Sequence, residues 1–299
     1  MSEKSKILIY GAGVIGCVYA VKLADSGHDL SVYARGSRLQ SLASKGLLYS
    51  EKGQVKKACV KVLDRVAPTD IFDYVFVTVR YEQIEAALSE LAANASPNIV
   101  TMVNNPEGYA RWEHLLGKGR LMPGFAGAGG RIDEGVLHYQ LTPKIIQKTT
   151  FGEADGRVSG RVNALAKIFK SAKIPHSISR DMDAWQKSHL AMVTALANGI
   201  YFDGGDNYTT AKNKKALRFM SGMLRKNFRA LRAKGVAITP PKLHVFRLCP
   251  LWLMDISLRI LYGSKFAETL ISSHALNAKD EMALLDEAFR RRIYDAVTE

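Results

Sequence analysis

Cysteine is scarce and unpatterned: Cys17, Cys59 and Cys249 stand at no metal-ligand or paired spacing. That excludes a disulfide framework and a cysteine-based metal site, and it suits a reducing compartment such as the cytoplasm. No apolar signal segment precedes the first strand pattern, and no repeat or low-complexity tract recurs. No apolar run is free enough of charge to span a membrane. One apolar segment, residues 246–262, is interrupted by Arg247, Asp255 and Arg259 and contains Pro250, so a buried or interface helix is expected there, a homodimer contact being one use for it. Acids are in short supply as well, 28 against 42 lysines and arginines, which leaves a formal charge of +14. Such a surplus suits nucleic acid, an acidic membrane surface or a small anionic substrate, and charge alone does not choose between them. The rest of the composition is that of a soluble globular chain, and 299 residues are enough for two domains with separate cores.

The richest stretch is residues 6–38, KILIYGAGVIGCVYAVKLADSGHDLSVYARGSR. An apolar run over residues 7–10 reads as a buried strand, and Gly11, Gly13 and Gly16 then complete G-x-G-x-x-G. Without side chains there, the backbone can approach a pyrophosphate, whose charge faces the first turn, Val14, Ile15 and Gly16, of a helix over residues 14–26. Gly27 ends that helix. A second strand over residues 30–34 follows at the spacing of a βαβ unit, the context that gives a glycine pattern its meaning. An NAD site usually ends this strand in a carboxylate that accepts from the ribose 2′-hydroxyl. Here the strand runs into Arg35, Ser37 and Arg38, with no acid between Tyr33 and Leu39. Guanidinium forks and a hydroxyl suit a phosphate dianion, so NADP(H) is expected; the alternative is a merely basic, solvated loop.

Further strands are expected over residues 74–79 and 99–103, with an amphipathic crossover helix over 82–93 between them. In a doubly wound sheet the ligand lies outside the carboxyl ends of the strands, which directs Gly11, Arg35, Arg80 and Asn105 to one crevice. Arg80 serves equally well as a strand-end cap, and Asn105 before Pro106 as the start of a turn. The glycine-rich residues 124–135 are no second phosphate loop, because no helix pattern follows; strands are expected over 136–140 and 145–150. A helix over 162–171 and a last strand over 173–179 close the first domain. The domains are thus expected at residues 1–178, an α/β Rossmann-type doubly wound sheet, and 179–299, all α.

From Asp181 the apolar period becomes that of a helix carrying Trp185, Lys187, His189, Val193 and Leu196, with Asp181 and Asp183 as caps. A strongly basic helix is expected over 210–234. Its only aromatics, Phe219 and Phe228, read as core, and no helix-turn-helix or strand-binding motif accompanies it, so a solvated face is preferred to nucleic-acid binding.

With these pieces placed, the chain resembles the ketopantoate reductases, or 2-dehydropantoate 2-reductases, over nearly its full length and more strongly in the first half. GAGVIG, ARGSRLQSL and NNPEG resemble the family's nucleotide glycines, its 2′-phosphate arginine and its Asn-Gly turn, represented here by Asn105 and Gly108. Arg80 stands where the family has lysine. AWQKSHLAM resembles the family's W-x-K-x-x-x-N helix, which implies that Lys187 is catalytic. Residues 235–240 resemble its G-I-x-x-P segment, Ser272 and Ser273 its paired serines, and Glu281 its final-helix glutamate. The resemblance implies NADPH-dependent reduction of a small anionic 2-keto acid, with Asn105, Ser273 and Glu281 holding substrate, in pantothenate biosynthesis. One departure concerns substrate: the family's asparagine one turn after the lysine is Ala191 here, and Asn198, about 16 Å from Lys187 at about 1.5 Å per residue, is too far along the helix to replace it. A non-catalytic, NADP(H)-binding regulatory protein is the alternative. A lysine proton donor would need burial and nearby cations to bring its pKa toward the working pH.

Overall fold

The apolar tetrapeptide Ile7–Tyr10 is fully sequestered because its strand is paired on both sides. In the computed structural model, which describes residues 4–202, 204–272, 275–276 and 278–295, β1 (Lys6–Tyr10) lies between β2 (Asp29–Tyr33) and β6 (Tyr74–Val77), parallel to both. Near-continuous hydrophobicity is what a parallel strand covered on both faces requires. The chain divides into two compact units, one comprising Met1–Val103 with Tyr109–Met182, the other Asn104–Gly108 with Asp183–Glu299.

The first unit is a doubly wound α/β domain. After α1 (Val14–Asp25), β2 and α2 (Gly36–Lys45) come β3 (Leu47–Glu51), β4 (Gln54–Ala58) and β5 (Lys61–Leu63). Beyond β6 lie α3 (Ile84–Ala92), β7 (Ile99–Thr101), α4 (Ala110–Leu116), β8 (Leu121–Phe125), β9 (Ala128–Asp133) and β10 (Val136–Leu141). β11 (Thr149–Phe151), α5 (Gly160–Ser171) and β12 (His176–Ile178) complete the unit. The main sheet has the order β12-β11-β8-β7-β6-β1-β2-β5, in which β11 pairs antiparallel with β8 and parallel with β12, so these two edge strands run opposite to the other six. The order reverses at β1, where β2 leaves to one side and β6 to the other, and this switch point is where open α/β sheets bind ligands.

A second sheet, β4-β3-β10-β9, packs on α1. The glycine-rich stretch supplies part of both sheets, as β8 and β9. A Cβ on Gly127 would meet the backbone nitrogen of Thr149 at 2.5 Å, so glycine there permits close chain packing. The Tyr19 hydroxyl of α1 bonds the Thr149 hydroxyl at 2.6 Å and accepts from Gly127 N at 3.2 Å, which fixes α1 against this region. β8, β9 and α4 are absent from the sequence reading, and the strand expected over 145–150 forms only from Thr149. Near the far edge, Arg161 donates Nε to Glu153 Oε1 at 2.8 Å. Burial opposes ionisation of Glu153, but bonds from Arg161 and Ser159 outweigh it and hold the carboxyl below its usual range.

The second unit is helical: α6 (Met182–Tyr201, whose first residue clusters with the sheet unit), α7 (Asn207–Lys212), α8 (Lys214–Ala233), α9 (Val245–Leu248), α10 (Leu251–Tyr262), α11 (Lys265–Ala267) and α12 (Lys279–Arg290). The basic helix expected over 210–234 is two helices. Asn213 breaks it, leaving helical geometry and capping α8 through bonds to its Oδ1 from the amides of Lys215 and Ala216. Leu217, Met220, Leu224, Phe228 and Leu231 form the buried stripe of α8, while Phe219, expected in the core, is exposed beside Phe202. Pro250 separates α9 from α10. Among the described residues, no helix is long and apolar enough to cross a membrane.

Candidate functional site

The glycine turn after β1 is clamped from both neighbouring strands. Gly11 N donates to Tyr33 O at 3.2 Å, and the Thr78 hydroxyl, just beyond β6, donates to Gly11 O at 2.7 Å. Gly11 has φ +113, a conformation that L side chains rarely adopt, and a Cβ there would lie 3.1 Å from the Thr78 carbonyl. A Cβ on Gly16 would stand 2.0 Å from Gly11 O and 2.5 Å from Thr78 Oγ1. Gly13 differs from both: a Cβ there would meet nothing within 4 Å.

The open face of Gly13 is at the start of α1, where it acts as N-cap without a side-chain capping bond, and the first turn contains no acid. Val14 and Ile15, the next two residues, are partly buried against the core. An uncapped helix N-terminus facing unfilled space at a switch point fits a pyrophosphate. Thr78, which locks the turn, has no signature in the local motif and is missed by a sequence reading.

The three polar residues after β2 separate into distinct roles. Arg35 is 60% exposed at the side chain, and its Nη1 lies 3.4 Å from Glu90 Oε1. Ser37 is exposed in the first turn of α2. Arg38 turns inward, donating Nε to Ala12 O at 3.0 Å and Nη2 to Cys17 Sγ at 3.2 Å, so it braces the glycine turn. Burial pushes the Cys17 thiol up against the opposing pull of Arg38, which leaves a structural thiol. Arg80 is exposed at the end of the β6 segment, where its backbone caps a short helical turn with Gln83.

Asn105 and Lys187 both belong to the helical unit. The Asn105 side chain, 2% exposed, folds its own turn: Oδ1 accepts from Glu107 N and Gly108 N, and Nδ2 donates to Gly108 O at 2.7 Å. Its backbone N–H donates to Gln186 Oε1 at 3.4 Å, one residue before the lysine. A Cβ on Gly108, whose φ is +89, would lie 3.5 Å from Asp183 Oδ1, so the turn approaches the first turn of α6 closely. Lys187 is 7% exposed, and its Nζ donates to Asp183 Oδ2 one turn earlier. Asp183, which its position suits to capping, is thus the lysine's ion-pair partner, a carboxylate and not the nearby cation that a lowered lysine pKa requires.

Ser188 accepts from Thr239 N at 3.1 Å and donates to Ala237 O at 3.3 Å, which places residues 237–239 against α6 beside the lysine. His189 stacks on Trp185, ring centroids 5.3 Å apart. Ala191 is fully buried, and its carbonyl accepts from Asn227 Nδ2 of α8 at 2.9 Å. An amide therefore does stand beside position 191, but Tyr294 Oη engages its oxygen at 2.6 Å.

Farther along α6, Thr194, Asn198 and Tyr201 line a cavity of about 610 Å³ with Met282, Asp286 and Arg290 of α12. Glu281 is in the first turn of α12, where a negative charge suits the helix dipole, and it is not among the residues lining this cavity. Ser273 lies outside the described residues; Ser272 beside it is buried.

A family model described as ketopantoate reductase PanE/ApbA matches residues 7–156, about half of the chain. A 2-dehydropantoate 2-reductase of Archaeoglobus fulgidus is 30% identical over 200 residues, 65% of this chain, and one of Mesorhizobium japonicum is 26% identical over 208 residues, 61% of it. The chain spans 63% of the length of each of these relatives. The crystal structure of 2-dehydropantoate 2-reductase from Porphyromonas gingivalis superposes with a TM-score of 0.68 at 15% identity, covering 99% of this chain and all of that one, a likeness of fold.

Proposed function

The chain belongs to the ketopantoate reductase family, and from that premise we propose that it is an NADPH-dependent oxidoreductase reducing a 2-keto acid, ketopantoate or a related compound, to the 2-hydroxy acid. The observation that carries the cofactor reading is the open face of Gly13 at an acid-free helix start without a side-chain cap, with Arg35 two residues after the adjoining strand. The amides at the start of α1 take the pyrophosphate, and Arg35 with Ser37 takes the 2′-phosphate. The chemistry that bound NADPH supplies is transfer of hydride to the carbonyl carbon, whose oxygen receives the C=O bonding pair.

Lys187 gives its proton to that oxygen, and the resulting amine regains one from solvent. The Asp183 carboxylate holds and aims the ammonium. Asn105 acts by shaping the turn that approaches Asp183, since its side chain is engaged within that turn. Three free thiols suit a reducing cytoplasm as the setting.

Calorimetric titration tests the cofactor reading. NADPH is expected to bind at least about tenfold tighter than NADH, and Arg35→Ala to abolish that margin while leaving NADH unchanged, because a charge-assisted bond to phosphate contributes about 1.5–3 kcal/mol. Equal affinity of the wild type for the two nucleotides would contradict it. A second reading, a regulatory NADP(H)-binding protein without turnover, is favoured by one feature: position 191 has no amide of its own, and the Asn227 amide beside it is bonded at both its nitrogen and its oxygen within the helical unit. Consumption of NADPH with any member of a 2-keto acid panel decides against that second reading.

A further inference from the structure

The guanidinium assigned to the 2′-phosphate already has an anionic neighbour. Glu90, 55 residues farther along the chain on α3, places Oε1 3.4 Å from Arg35 Nη1. Its other oxygen, Oε2, accepts a hydrogen bond from Tyr10 Oη, and Tyr10 is the last residue of β1. The Tyr10 ring rests against that of Tyr33, the last residue of β2, with centroids 4.5 Å apart. The ends of β1 and β2 and the last turns of α3 therefore converge on one carboxylate. Burial and the adjacent Glu90 push the Tyr10 phenol up, so it remains the donor in this contact.

Two anions cannot share Arg35 without cost. A 2′-phosphate dianion seated on this guanidinium comes close to the Glu90 carboxylate, and the like-charge term opposes it. Because the two side chains are 60% and 48% exposed, water and salt screen that term without cancelling it. An unphosphorylated ribose brings no such charge and leaves the Arg35–Glu90 pair intact. We infer that Glu90 is a specificity-determining residue for the nucleotide: its carboxylate occupies Arg35 when no 2′-phosphate is present and competes with the phosphate for it, which narrows the preference for the phosphorylated cofactor. This rests on the dinucleotide reading of the glycine turn. It assigns to α3 a role that the motif after β2 does not contain, and it makes the preference a balance between two residues.

Adenosine 2′,5′-bisphosphate and adenosine 5′-monophosphate isolate the effect, since they differ only at the ribose 2′-position. Glu90→Gln removes the charge and keeps an acceptor for Tyr10, and with nearly half the side chain exposed the fold should be undisturbed. The variant is expected to bind the bisphosphate about three- to fivefold tighter, with the monophosphate unchanged within about 1.5-fold. Tyr10→Phe keeps the carboxylate and should show no such gain. Bisphosphate affinity that is unchanged in Glu90→Gln, or an equal shift for both fragments, overturns the assignment to Glu90 while leaving the nucleotide site standing. A wild-type protein that binds neither fragment overturns the dinucleotide reading itself, and the assignment with it.

Discussion

Lys187→Ala is expected to lower kcat by about a thousandfold while the dissociation constant for NADPH stays within about twofold of wild type, because a positioned proton donor contributes roughly 10²–10⁴ to rate. The two effects are separable by construction. The turn proposed to hold the nucleotide, residues 11–16 with Arg35, belongs to the sheet unit, and Lys187 to the helical unit. Stopped-flow measurement of NADPH oxidation gives the rate, and calorimetry gives the affinity. Lys187→Arg sharpens the result. Its guanidinium keeps the positive charge and can still pair with Asp183, but it does not release a proton near neutral pH. If Lys187 only steadied the developing oxyanion by charge, the arginine variant would recover much of the rate; as a proton donor it should not. Turnover essentially unchanged in Lys187→Ala removes the lysine from the mechanism.

The second large effect separates two glycines three residues apart. Gly13→Ala should fold with an unchanged thermal midpoint, since its φ of −73 is ordinary for alanine and the added methyl meets nothing within 4 Å. That methyl would occupy the space assigned to the pyrophosphate, so NADPH affinity should fall about a hundredfold and nucleotide-dependent thermal stabilisation should disappear. In Gly16→Ala the methyl would be driven to 2.0 Å from a backbone oxygen and 2.9 Å from Ile9 Cγ2. Neither neighbour can withdraw without opening the β1–α1 junction, so the free protein itself should lose about 1–3 kcal/mol or more. Thermal scans with and without NADPH read both outcomes. Full nucleotide stabilisation in Gly13→Ala would place the pyrophosphate elsewhere.

Much of the first unit is legible along the chain because its information is local. A strand, a glycine turn, a helix and a second strand follow one another within residues 6–33, and periodicity reports each. β8 is less visible, since Pro123 and Gly124 interrupt its pattern and its place is fixed by pairing with Thr101 and its neighbours. The break at Asn213 is hidden in a polar run where an asparagine cap resembles any other surface residue. At the site the same division holds. Lys187 is singled out by its flanking motif, and Asp183 is visible at i−4, where capping and ion pairing are equally good readings of an acid. Arg38 and Arg35 look alike in sequence, and only the fold turns one toward Ala12 and leaves the other beside Glu90. Contacts such as Thr78 to Gly11 and Glu90 to Arg35 span 67 and 55 residues, so no local pattern encodes them.

The most direct test of the central claim follows the hydride itself. NADPH deuterated at the nicotinamide C4, each stereoisomer in turn, is incubated with the protein and the most active 2-keto acid, and the product is analysed by mass spectrometry. One stereoisomer should deliver a single deuterium to C2 of the 2-hydroxy acid and the other should retain its label on the oxidised nucleotide. Product formed without label from either stereoisomer, or no product from any 2-keto acid although NADPH is bound, would contradict the account.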